Sequence, residues 1–446
     1  MNLRNFIPFS RKKDRELTDL SKRGHYWSEV KIQFRKNKLA VWSWRIIQVL
    51  IVIALLSDFL ANEKPIVANY EGKVYFPILK SYAVDAGIGQ WQKELQRVDW
   101  HQLDYDWVIR APIPYSPTNM DKMNDRYTGP FDEQIIASNY WRHWMGTDQL
   151  GRDVLSGMIH GTRIALVVGI FAMLIAGIIG LVLGAAAGFY GDDKLKISRA
   201  KLILLLLFGF MGIFIGFGSR TYVLSDSLEH STGAFLLEFI VSLLLFGAFS
   251  VGGYLLSKPF SKIPGLSKTV SIPVDIMVMR LIDVLLSIPT LFLIISIIAL
   301  VQKPNLFVIM AIIGLTGWTG IARLVRAELL RIRNLEYVEA AQALGYSRMR
   351  TIVYHALPNA LSPVLVALAF GIAGAILIEA FLSFLGLLAA DVVTWGSLLS
   401  EARSNPSAWW LAIFPGLAIF ITVTVYNLVG EGLTDALDPR RGDLNN

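Results

Sequence analysis

Residues able to carry chemistry are few and dispersed. The six histidines, His25, His101, His143, His160, His230 and His355, share no short spacing, and no H-E-x-x-H pair occurs. A clustered metal site would therefore need convergence from distant segments. The chain has no cysteine, which excludes thiolate ligands, disulfides and a cysteine nucleophile. The phosphate-cradling pattern G-x-x-x-x-G-K-[ST] is missing too, because Gly72-Lys73 lacks both the earlier glycine and the following hydroxyl residue. Ser219, after Gly216-Phe217-Gly218, has glycines before it as some serine nucleophiles do, but a hydroxyl in that position ordinarily ends a helix. We expect no cofactor, no metal site and no ATPase site within the chain.

One polar stretch stands out instead. Asn334 to Pro358 separates two long apolar segments, yet it carries Glu336, Glu339, Arg348, Arg350 and His355, and so must lie outside the hydrocarbon. It reads as a short helix with marked ends: Asn334 can cap the first turn, Glu336 puts an anion near the N-terminus, and Gly345 can take the left-handed conformation that ends it. Tyr337, Ala340, Ala341 and Leu344 fall at i, i+3, i+4 and i+7, on one face. The two alanines make that face flat in the middle, so it can press into a groove on another protein, with Glu339 beside it to meet a cation. A surface helix packed on its own chain would show the same features.

The elements that position this stretch are membrane helices. With 446 residues, 54% hydrophobic and 17% charged, the chain is too apolar for water. Runs of about 20 apolar residues, enough to cross a bilayer, set the count. We place spans near Val41 to Ala61, Arg163 to Tyr190, Leu202 to Gly218, Ala234 to Leu256, Leu281 to Val301, Leu306 to Val325, Leu361 to Ala380 and Leu411 to Val429. Net charge is +7, but the basic residues cluster beside the spans, as the positive-inside rule requires, and this argues against nucleic acid as the partner. The count is even, and every short basic loop falls on one side, so both termini are expected in the cytoplasm. Within the second span Gly180, Gly184 and Gly188 permit close helix approach, although small residues are common in such helices. Glu238 is either a buried polar contact or near the outer interface, and we favour the interface. Residues 62–160 are rich in Trp, Tyr, Asp and Pro and are expected to fold outside the membrane around an aromatic core.

Several motifs together resemble one family. Glu339-Ala340-Ala341, followed by Gly345 and closed by Leu357-Pro358, looks like the cytoplasmic loop of bacterial ABC-importer permeases. More narrowly, the chain resembles the second permease subunit of the dipeptide and oligopeptide class. Gly146-Thr147-Asp148, Gly151-Arg152-Asp153 and Gly161-Thr162-Arg163 resemble that subunit's signature before the second helix, and Gly188-Phe189-Tyr190-Gly191 the turn after it. Glu379-Ala380-Phe381-Leu382-Ser383-Phe384-Leu385-Gly386 with Trp395-Gly396 resembles its late signature, and Leu437-Asp438-Pro439-Arg440 its tail. Residues 61–80 are similar to the permease of the branch that imports microcin C and related peptides. In that family the glycine-tyrosine turn leads within one short loop to a V-D-x-x-x-M-R pattern, whereas here Val274-Asp275 begins about 80 residues later, after an out-and-back pair of spans.

The resemblance implies an all-α polytopic bundle of the ABC type I importer permease fold, with about eight transmembrane helices and an inserted helix pair. The expected divisions are a basic cytoplasmic N-terminus (1–38), the first span (39–61), an extracytoplasmic region (62–160), the second span (161–191), the inserted pair (192–270) and a permease core (271–446) with a coupling loop at 326–358. It further implies import of peptides across the bacterial cytoplasmic membrane, with a sister permease, two ATP-binding subunits and an extracytoplasmic binding protein as partners. Tyr337, Glu339, Ala340, Ala341, Leu344 and Gly345 would form the ATPase-docking site. The pathway lining is not identified; Glu379 and Asp283 are candidates, as ionisable groups near spans. The alternatives are a secondary transporter driven by an ion gradient and, behind it, a membrane enzyme.

Overall fold

The computed structural model describes residues 28–437 apart from 86, 93, 94, 96, 97, 194, 231, 302–304 and 389–391. The basic run before residue 28, the Gln302-Lys303-Pro304 connection and the Asp438-Pro439-Arg440 tail lie outside these. Helix α1 (Lys38–Leu55) is followed by strands β1 (Val67–Tyr70) and β2 (Lys73–Tyr75), helix α2 (Pro77–Asp85), strand β3 (Trp107–Ile109) and the long helix α3 (Val154–Tyr190). Then come β4 (Lys196–Ser198), α4 (Arg199–Ile213), α5 (Thr221–His230), α6 (Thr232–Phe260) and β5 (Thr269–Ser271). The remainder is helical: α7 (Val274–Leu286), α8 (Thr290–Leu300), α9 (Leu306–Ile332), α10 (Glu336–Ala343), α11 (Leu357–Phe384), α12 (Trp395–Ser404) and α13 (Trp410–Leu437). Among the described residues seven helices are long and apolar enough to cross a membrane, or eight if α7 and α8 count as one span.

Sequence chemistry sets the helix ends. Side chains of Asn37, Ser198 and Asn305 accept the amides of Ala40, Lys201 and Val308, and Thr394 with Ser397 forms a reciprocal capping box at α12. The expected continuous span over Leu281 to Val301 is corrected: α7 and α8 meet at 81° across Ser287-Ile288-Pro289. Proline removes an amide and pushes its predecessor out of helical geometry, which an apolar run conceals.

The chain divides into two compact units, Ala185–Leu281 and the remainder. In the larger one, α3 and α9 cross at glycines. A Cβ on Gly180 would lie 2.8 Å from Ile321, and one on Gly184 2.5 Å from the Ala322 carbonyl, so these two glycines do make a specific contact. A buried cluster joins Ile47 and Ala54 of α1, Leu166 of α3, Ile376 and Ala380 of α11, Trp395 of α12 and Tyr426 of α13. The motif residues meet here. Trp395 Nε1 donates to the Met158 carbonyl at 3.0 Å, and its ring fills the space where a Gly161 side chain would stand. Trp410 Nε1 donates to the Thr147 carbonyl at 3.1 Å. Arg163 pairs with Asp58 and also donates to the Ala54 carbonyl at 3.0 Å, tying α3 to the end of α1.

The segment between the first two spans is folded, as its composition suggests. Strands order as β2-β1-β3, all antiparallel, and Trp141 sits edge-on to Tyr115 and His101. His143 is fully buried, stacked on Tyr115 at 4.2 Å; its Nδ1 faces Asp153 Oδ1 at 2.8 Å and its Nε2 faces Asp121 Oδ2 at 3.2 Å. Burial alone would lower the His143 pKa, but the hydrogen bonds and charges of both carboxylates outweigh it and raise it to about 9. Asp153 also caps α3, accepting the Ser156 amide at 2.6 Å.

The smaller unit holds the helix pair. β4 and β5 pair antiparallel, Lys196 opposite Ser271, and α4 packs on α6. The Asp192 carboxylate accepts the Ile276 amide at 3.0 Å, and the Gly191 carbonyl the Asp275 amide at 3.4 Å. Glu238 is not buried; it is partly exposed and pairs with Arg220, which also donates to Ser242 at 3.3 Å. Ser219 ends a helical turn, its hydroxyl donating to the Ile215 carbonyl at 2.8 Å.

Two outcomes follow from this packing. Because the His143 pKa is raised on folding, its stabilisation is complete below the ordinary value of 6.5 and is lost as pH climbs through about 9. The thermal midpoint, read by tryptophan fluorescence, should fall between pH 7 and 9.5 in the native chain, and this component should vanish in His143→Gln. A Cβ on Gly396 would stand 2.2 Å from the Ala380 carbonyl, so Gly396→Ala should cost about 1–3 kcal/mol, measured by melting in detergent.

Candidate functional site

The polar stretch forms an α-helix, α10, slung between α9 and α11. It starts one residue later than Asn334 capping would give. Leu335 holds the N-cap position, and its carbonyl accepts the Val338 and Glu339 amides at 2.9 and 3.2 Å. At the other end Gly345 has φ +83°, and the Tyr346 amide reaches the Ala341 carbonyl at 3.2 Å, the six-to-one bond of a Schellman closure. Among the described residues, its two chain neighbours aside, none has an atom within 4 Å of the place where a Gly345 side chain would begin, so glycine is there for its backbone and not for space.

The helix has two distinct sides. Val338 and Ala341, one turn apart, are buried at 0% and 5% exposure. Tyr337, Glu339, Ala340 and Leu344 face outward, with Leu344 76% exposed. Ala341 is thus turned into its own chain, whereas Tyr337, Ala340 and Leu344 share the open face at i, i+3 and i+7.

Several residues that sequence reasoning passed over extend this surface. Met349 and Tyr354 are 59% and 64% exposed. Tyr346 stacks on His355 at 5.6 Å, with the Arg350 guanidinium 4.7 Å above the Tyr346 ring. Asn359 Nδ2 donates both to the Tyr337 hydroxyl at 3.1 Å and to the His355 carbonyl at 2.9 Å, bracing α10 against the start of α11. A widened i to i+5 turn at Ile352–Ala356 precedes Pro358, whose ring would crowd the carbonyl four residues back in a regular helix. The aromatic spacing was visible in the sequence, but not which rings would meet.

Of the two candidate pathway carboxylates, Glu379 is sealed inside the bundle at 1% exposure and accepts the Ser383 hydroxyl at 2.6 Å, while Asp283 is exposed on α7. Among the described residues no group of three or more His, Asp or Glu side chains is arranged to hold a metal ion.

Comparison with known proteins fits this geometry. A model of the family described as binding-protein-dependent transport system inner membrane component matches residues 266–443. A second, the N-terminal transmembrane domain of oligopeptide transport permease C, matches residues 25–76. The inner membrane ABC transporter permease protein YejE of Escherichia coli is 30% identical over 414 residues, spanning 92% of this chain and 96% of that protein. The peptidoglycan transport system permease protein YejE of Agrobacterium fabrum is 26% identical, spanning 92% of this chain and 91% of its own length. The dipeptide transport system permease protein DppC of Bacillus subtilis is 29% identical, spanning 67% and 69%. The likeness covers both ends of the chain and the α10 region between its spans, and on this basis the chain belongs to the ABC-importer permeases, the multi-pass inner-membrane components of binding-protein-dependent transport systems.

Proposed function

We propose that this permease imports peptides and that α10 is the lever through which separate ATPase subunits drive it. The observation that carries the reading is the build of α10: joined to α9 by the short turn at 333–335, closed at Gly345 and braced through Asn359, it presents Tyr337, Ala340 and Leu344 outward among charged residues that do not belong in lipid. A helix so fixed moves as one piece with whatever grips its open face, and passes that motion to the spans at both its ends. Docking burial of those side chains would stabilise the joint by a few kcal/mol at about 25 cal/mol per Å². Ala341 contributes from beneath, as the small residue that lets α10 lie close to its own chain, and Glu339 stands beside the open face for a cationic partner.

The peptide cargo is supported by the relatives named for dipeptide transport and by the resemblance of residues 61–80 to the microcin C branch. The complex would comprise this chain, a sister permease, two ATP-binding subunits and an extracytoplasmic binding protein. The chain itself would hydrolyse no nucleotide, in keeping with its lack of a phosphate cradle. With the bent α7–α8 pair as one span, the candidate crossings among the described residues number eight; an even count supports a reading in which both ends, and α10 with them, lie on the cytoplasmic side. The helix pair within 192–270 would be an addition to the permease core.

The test is copurification and coupling. Leu344→Glu changes an exposed side chain, so the melting temperature should stay within about 1 °C while recovery of the ATPase subunits with the permease falls at least about tenfold. Normal recovery and normal peptide uptake in Leu344→Glu would remove α10 from the coupling route. Gly345→Ala meets no steric obstacle and acts only through its positive φ, at about 1–2 kcal/mol. Uptake per ATP hydrolysed should drop in Gly345→Ala and less so in Gly345→Asn, since asparagine tolerates the left-handed region better than alanine.

A further inference from the structure

The last span, α13, turns one seam of residues away from its own chain. Ile413, Leu417 and Phe420 occupy the seam in the first half of the helix, and Thr424, Asn427 and Glu431 continue it at the same alternating steps of four and three. The buried side of the helix, with Ile419, Val425, Tyr426 and Val429, belongs to the core cluster. The first half of the seam is what a helix shows to lipid. Its second half is not, because Asn427 and Glu431 are exposed on a membrane-crossing helix, and such groups face protein or water.

Beside this polar half lies a concavity of about 470 Å³, bordered by Thr424, Asn427, Glu431, Thr434 and Asp435 and walled by Phe370 of α11. The Phe370 ring packs against Gly430, 3.0 Å from where a Cβ would stand. Among the described residues no lysine or arginine lines it. Asp435 accepts a hydrogen bond from Asn37 at 3.5 Å, near the start of α1, which sets the level of the concavity at the end of the bundle where α13 finishes and α1 begins. A seam packed tightly against another helix would close the space.

We propose that the second half of α13 is a wetted wall of the translocation pathway, and that Glu431 receives the cationic amino terminus of the passing cargo. The proposal rests on the peptide-importer reading. Peptides differ in every side chain but share their charged ends, so a negative, water-filled wall without a tight pocket suits them.

The absence of cysteine lets single cysteines be placed in this chain unambiguously. In the assembled importer in inside-out membrane vesicles, a positively charged methanethiosulfonate should modify Thr424→Cys and Asn427→Cys at least about tenfold faster than Leu417→Cys or Phe420→Cys. Glu431→Gln should lower uptake of a tripeptide with a free amino terminus about fivefold, and that of its N-acetylated form by much less. Equal labelling rates at 417 and 427 would make the face a lipid contact, and slow labelling with oxidative cross-linking of Asn427→Cys to the other permease chain would make it a subunit seam; either overturns the proposal. Fast labelling of 424 and 427 with equal loss of both peptides in Glu431→Gln would retain the wetted wall and overturn the role of Glu431. If the native complex labels as expected but transports no peptide of either kind, the cargo reading fails and the wetted wall stands.

Discussion

Within hydrocarbon a helix gains nothing hydrophobic by exchanging lipid for another helix, so this bundle depends on how closely its backbones can approach. The contacts that decide its shape are accordingly between absent side chains and large neighbours. Gly180 and Gly184 admit Ile321 and Ala322, Gly161 admits the Trp395 ring, and Gly396 lies against the Ala380 carbonyl. Two indole N–H groups, Trp395 to Met158 and Trp410 to Thr147, add directional bonds where the spans leave the apolar layer. The motif residues that look unrelated along the chain are thus neighbours in one joint, and their small size is a packing requirement.

The same joint passes into the folded segment between the first two spans. Asp153 caps α3 and holds one nitrogen of His143, while Asp121, from the loop above, holds the other. Gly151, at φ +78°, would otherwise drive a side chain into the Asp121 carbonyl, 2.1 Å away. Removing one member of such a buried set leaves an unpaired charge, which typically costs about 3–5 kcal/mol. The first turn of the second span and the loop over it therefore stand or fall together.

Much of this architecture was legible in the sequence. Apolar run length located the spans, because crossing distance leaves little freedom, and the positive φ of Gly345 was readable from a glycine after a short amphipathic run. What escaped detection depends on long-range partners. Nothing local says that Ala341 turns inward while Ala340 stays open, since both lie on the same broad face. His143 looked like an isolated histidine because its carboxylates lie 22 and 10 residues away. Pro289 was an available warning of the break between α7 and α8, hidden by the hydropathy on both sides of it.

The junction at Gly191 and Asp275 has a consequence for how such a chain can change. Entry and exit of the α4–α6 excursion meet through backbone hydrogen bonds, and the β4–β5 ladder zips the two limbs above them. A loop whose two feet touch is topologically silent: trimming it to a tight turn would leave the path of the flanking polypeptide unaltered. Gene lineages can therefore acquire or discard the hairpin as one cassette, with no re-threading of the spans that follow.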